Sequence, residues 1–218
     1  MSQQIVEAST SVIFVLSALL AYYLSKNYAV SRKLSTLFWG AGMWAFSAGV
    51  LLEVVFSFGI YDQGLIKLYL FVVAVLVELL AMGSINLTGK KYLVIVYYVF
   101  SAASTVLLAA SLVYSNIGYI LTDYVVYGPL PLYIVITSSI VTFPAALILI
   151  AVAGLSYRKR GDTKMLSIIV GTLIVSMAGT LYIAQFPVFL YYAEFIGIIL
   201  LWLGFFDLRS SKRQKFQQ

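Results

Sequence analysis

Neither histidine nor cysteine occurs in these 218 residues, and only 10% of them are charged. Each absence removes a class of chemistry. Without imidazole there is no bis-histidine haem ligation, no histidine zinc site and no Ser-His-Asp relay; without thiol there is no thiolate ligand, nucleophile or disulfide. The eight acids stand singly, with no Asp-x-Asp or Glu-x-x-Glu pair to gather a metal ion. No metal, no cofactor and no enzymatic activity are expected.

What the chain has in excess is hydrocarbon. At 62% apolar residues there is too little polar surface to coat a water-soluble globule, so the chain belongs in a membrane. A spanning helix needs about 20 mostly apolar residues. Charges punctuate the apolar runs, and the stretches between them predict an all-α bundle of seven transmembrane helices near 8–29, 34–58, 66–88, 92–114, 131–157, 165–185 and 188–207. Residues 1–208 form one membrane domain in this reading and 209–218 a basic tail. The opening "MSQQIVEAST" has no basic n-region, so the first run is expected to be an uncleaved span. Abundant Ile, Val and Tyr, with no Cys, point to a thermophilic prokaryote, most naturally an archaeon.

Orientation follows from Lys and Arg, which mark cytoplasmic loops. Alternate connections carry Lys26, Arg32 and Lys33, then Lys90 and Lys91, then Arg158, Lys159, Arg160 and Lys164, then Arg209, Lys212, Arg213 and Lys215, thirteen of the fourteen basic residues. The opposite set holds only Lys67, beside Glu7, Asp62 and Asp123. The N-terminus is expected outside and the C-terminus inside, in the plasma membrane. The net charge of +6 is this bias, and the tail "RSSKRQKFQQ" reads as an anchor on anionic headgroups, not as a nucleic-acid footprint. Tyr119, Tyr124, Tyr127 and Tyr133, in the long external connection, suit a segment lying at headgroup level. Seven spans in this sense also permit a parallel 3+1+3 duplication, with "SAGVL" (47–51) echoed by "MAGTL" (177–181).

Three carboxylates sit inside apolar runs: Glu53, Glu78 and Glu194. At about 100° per residue, Gly42, Phe46 and Gly49 share a face with Glu53. Ala74 and Ala81 flank Glu78 in the same way, and Gly197 lies one turn from Glu194. Small residues let helix backbones approach, so all three acids are expected to point into the bundle. No Lys or Arg stands in the interior of any span, and a bare carboxylate in hydrocarbon costs several kcal/mol, so each must find hydrogen-bonding partners. Thr172, Ser176 and Gly179 share a face of the sixth span; Ser138 and Thr142 lie one turn apart in the fifth, just before Pro144, which frees the carbonyl of Ile140. These hydroxyls are the candidate partners. The acids then either fix helix packing, carry a proton or cation, or line a pocket for a small polar solute.

Seven helices with an external N-terminus invite comparison with microbial rhodopsins, but the seventh run, "YYAEFIGIILL", has Glu194 and no lysine to bind retinal. The stretches "LFWGAGMWAFSAGVLLE", "LYLFVVAVLVELLAMG" and "FLYYAEFIGIILLWLGF" are similar to those of a group of seven-helix integral membrane proteins of archaea and bacteria that has no assigned activity. That resemblance implies the fold and an acid in spans 2 and 7, and no substrate. The expected function is transport or sensing of a proton, cation or small polar solute through the acid-containing core. The alternative is a structural or accessory subunit of a larger membrane complex. Lipids are the expected partners, with a second copy or another membrane protein beside them.

The topology is directly testable. Asp123→Cys should react with an impermeant thiol reagent from outside, and Arg160→Cys only after permeabilisation; the reverse pattern overturns the orientation.

Overall fold

The computed structural model describes the chain except residues 1–2, 119, 123–124, 127, 161–162, 182–186 and 215–218, and gives no side-chain surroundings for 121–127, 159–165, 176–191 and 206–218. Among the described residues seven α-helices follow one another: α1 (Gln3–Ser31), α2 (Leu34–Ser57), α3 (Gln63–Ile85), α4 (Lys91–Tyr114), α5 (Leu132–Arg160), α6 (Thr163–Leu181) and α7 (Pro187–Gln214). Five of them are long and apolar enough to cross a bilayer, which makes this a multi-pass membrane protein. In α6 and α7 the described apolar segments are Leu166–Val175 and Tyr192–Phe205.

The helices lie close to their expected positions, with three differences. α1 begins at Gln3, because nothing in "QQIVEAST" breaks a helix. α7 runs on to Gln214, so the basic tail starts as helix. The connection expected to lie at headgroup level contains a small antiparallel hairpin, β1 (Leu121–Thr122) with β2 (Val125–Val126), Leu121 opposite Val126. Tyr119, Tyr124, Tyr127 and Asp123 lie outside the described residues.

Local signals explain the stops. After α2 the chain turns at Gly59, whose φ of 75° suits a residue without Cβ, and its N–H is donated to the Phe56 carbonyl at 2.9 Å. Asp62 then caps α3, accepting from the N–H groups of Gly64 and Leu65 at 2.7 and 3.2 Å. A 3-10 turn over Asn86–Thr88 follows α3 and ends at Gly89, φ 69°.

The helices form a ring in the order α1, α2, α3, α5, α6, α7 and back to α1, with α4 outside it against α3 and α5. The position of α4 shows in its surface: 22% of its apolar stretch is buried, against 56% of α2's. The buried residues of α1 include the series Val6, Thr10, Ile13, Ser17, Leu20 and Leu24, and those of α2 the series Trp39, Met43, Phe46, Val50, Glu53 and Ser57. Both series step alternately by four and three, the spacing of supercoiled helix pairs. Glu53 therefore occupies a seam position in line with the apolar contacts.

All three tryptophans donate across helix boundaries. Trp39 Nε1 reaches Ser84 Oγ of α3 at 3.2 Å, Trp44 Nε1 reaches Ser25 Oγ of α1 at 3.0 Å, and Trp202 Nε1 reaches the Leu16 carbonyl at 3.1 Å, joining α7 to α1. Close glycine contacts complete the packing. A Cβ on Gly42 would stand 2.9 Å from Leu80 of α3, and one on Gly197 would stand 2.5 Å from Val175 and 3.1 Å from the Gly171 carbonyl of α6. Gly49 is looser, with Val73 at 3.6 Å, and the surroundings of Gly179 lie outside the described residues. The tightest position was not singled out from sequence: Gly83, where a Cβ would lie 2.3 Å from Trp39 Cδ1 and 3.0 Å from the Ser35 carbonyl.

Gly83→Ala should therefore cost about 1–3 kcal/mol, the usual range for overpacking, while Gly49→Ala, which meets only ordinary contacts, should be near neutral. Unfolding in mixed micelles measures both; equal stability of the two variants would contradict the packing described.

Candidate functional site

All three acids face the interior, Glu53 and Glu194 each 5% exposed and Glu78 3%. The fold divides them into two sites of different character.

The first joins α2, α3 and α7. Tyr69, one and a half turns into α3, donates its hydroxyl to Glu53 Oε1 at 2.7 Å. Phe56 packs edge-on against the Tyr69 ring, centroids 5.8 Å apart, and fixes its direction. The carboxyl groups of Glu53 and Glu194 lie against each other, within reach of a shared hydrogen bond. Among the described residues neither Glu53 Oε2 nor Glu194 Oε2 finds a donor. Two carboxylates in contact present only acceptors, so the contact is a hydrogen bond when one carboxyl carries a proton. Phe46, Gly49, Val50, Val73, Leu76 and Val175 wall a cavity of about 10 Å³ beside the pair. That is room for a single water.

The second site joins α3 to α4. Thr105 Oγ1 donates to Glu78 Oε2, and Ser104 Oγ shares its one proton between Glu78 Oε1 at 3.2 Å and the Ser101 carbonyl at 3.0 Å. Both oxygens of Glu78 are thus served from the same turn of α4. The buried side of α4 is Tyr97, Ser101, Ser104, Leu108 and Leu112, a seam in which three of five residues carry hydroxyls. Glu78 lies nine residues beyond Tyr69, about 14 Å along the helix, so the two sites are separate.

The bonds described for two of the expected hydroxyl partners run within their own helices. Thr142 Oγ1 donates to the Ser138 carbonyl at 3.0 Å and Thr172 Oγ1 to the Ile168 carbonyl at 2.7 Å, each one turn back along its own helix. The side chain of Ser176 lies outside the described residues. The partners missed were Tyr69, Ser104 and Thr105. Tyr69 carried a legible signal, being spaced at 66, 69 and 73 on the helix edge that leads to the α2 seam. "SAAST" in α4 carried only its run of small hydroxyl residues, a common feature of membrane helices. Among the described residues no group of three acids that would hold a metal ion is present.

Glu78 as a two-acceptor anchor makes a stability prediction. Glu78→Ala strands the hydroxyls of Ser104 and Thr105 and should cost about 1–3 kcal/mol; Glu78→Gln keeps an acceptor and should cost clearly less. Urea or SDS unfolding of the purified variants checks this, and an alanine variant as stable as the parent would remove the anchoring role.

No protein family, no curated protein and no solved structure matches the chain. The geometry of the two acid sites carries the functional reading alone.

Proposed function

We propose that this is a seven-span protein of a prokaryotic, archaeal plasma membrane, N-terminus outside and C-terminus inside, whose Glu53–Glu194 pair binds and releases a proton in transport or sensing. The observation that carries the reading is the pair itself: two buried carboxyl groups in contact, one held by Tyr69, with two oxygens that no other described group serves. A buried acid without a cation is costly to keep, and a contact between two such acids gains a hydrogen bond only through a proton. The adjoining space has room for one water and not for a solute, which favours the proton over a polar substrate. Glu78, with both oxygens bonded to α4, fits the packing role, so the transport and structural readings fall on different acids. The protein acts without catalysis in this reading, alone or with a second copy or a membrane partner.

The ring order supports the parallel 3+1+3 arrangement. Replacing α1, α2 and α3 by α5, α6 and α7 maps each junction of the ring onto another, the α3–α5 junction onto the α7–α1 junction, while α4, packed on α3 and α5, stays outside the exchange.

Infrared difference spectra between acidic and basic buffer should show a carboxyl C=O band that Glu53→Gln and Glu194→Gln each remove. In proteoliposomes loaded with a pH dye, loss of proton flux in the same variants identifies a pathway; an intact band without flux in the parent identifies a sensor. A carboxyl band indifferent to both substitutions sinks the proposal.

A further inference from the structure

Lys67 is the only basic residue outside the cytoplasmic set, and its position in the fold gives it a use. It lies in the second turn of α3, beside the last turn of α4, and its ammonium donates to the Val113 carbonyl at 3.3 Å. A helix C-terminus leaves its last carbonyls without intrahelical partners and is negatively polarised, so a cation there is stabilising. That bond takes one of three ammonium hydrogens. Asp62, the nearest acid in sequence, accepts from the N–H groups of Gly64 and Leu65 as the cap of α3.

From Lys67 an open groove of about 290 Å³ runs between α3 and α4, lined by Lys67, Leu68, Phe71, Ala109, Leu112 and Val113. Ala109 is the small residue that opens it. The groove begins where α3 starts and α4 ends, and proceeds one turn toward the middle of both helices, from Lys67 to Phe71 and from Val113 to Ala109. A single cation thus stands at the mouth of an apolar channel that leads inward. Tyr114, 88% exposed at the same end of α4, is a residue type favoured at headgroup level.

We infer that this groove is a binding site for one anionic phospholipid, its phosphate on the Lys67 ammonium and the upper part of one hydrocarbon chain between Phe71 and Ala109. The lysine selects for charge and the groove for a hydrocarbon chain; a soluble anion uses only the first and a zwitterionic lipid chiefly the second. The site is independent of the proton-binding pair, which it does not touch. Its occupant would brace α4, which lies outside the ring, against α3.

The test uses the full chain in phosphatidylcholine vesicles doped with a phosphatidylglycerol that carries a diazirine high on one acyl chain. After illumination, mass spectrometry should find adducts in segments 67–71 and 109–113. Lys67→Gln, which can still donate to Val113, should reduce them about fivefold, the weight of one basic residue at an anionic surface. Ala109→Leu fills the groove with all charges intact and should also reduce them. A phosphatidylcholine bearing the same diazirine should label these segments no more than the outward face of α1. Equal labelling by the two lipids, undiminished labelling in Lys67→Gln, or adducts confined to other segments would each overturn the site.

Discussion

A helix bundle in hydrocarbon has no hydrophobic gain to draw its helices together, so it depends on close backbone approach and on hydrogen bonds between spans. This protein uses both along most of its helix boundaries. Trp39, Trp44 and Trp202 each send an indole N–H to a neighbouring helix. Ser167 Oγ donates to the Leu200 carbonyl at 2.7 Å, and Ser111 and Thr137 share a hydrogen bond at 2.9 Å between α4 and α5. Around these bonds the glycines at 42, 83, 171 and 197 remove the side chains that would hold the helices apart.

The acids fall within the same scheme but answer it differently. Glu78 has a hydroxyl of α4 on each of its oxygens, which ties that helix to α3. Glu53 and Glu194 do not satisfy each other without a proton. The chemical contrast comes from neighbours, since all three are buried glutamates on small-residue faces. What separates them is whether hydroxyl donors arrive in sufficient number: two for Glu78, and Tyr69 alone among the described donors for Glu53.

Much of this was legible in the sequence, because it is local. Charges interrupt the apolar runs where the helices stop, and the small residues beside Glu53, Glu78 and Glu194 correctly turned the acids inward. Partnerships were not legible. Pairing Glu53 with Glu194 requires knowing that α7 closes on the first helices, and pairing Glu78 with Thr105 requires knowing that α4 stands outside the ring against α3. Thr142 and Thr172 looked like partners by face and depth, yet a threonine hydroxyl in a helix can bond the carbonyl one turn back, and both do so. The hairpin at 121–126 is two residues per strand, too short for its alternation to register.

The bond from Trp202 to the Leu16 carbonyl links residues 186 positions apart and closes the ring. During synthesis the chain emerges in order, so α1 waits for this bond until α7 has been made. Glu53 waits with it, because Glu194 is added 141 residues later. The two events are one: the helix that seals the bundle is the helix that completes the acid pair. A chain interrupted before that point lacks the Trp202 bond to α1 and keeps Glu53 without Glu194.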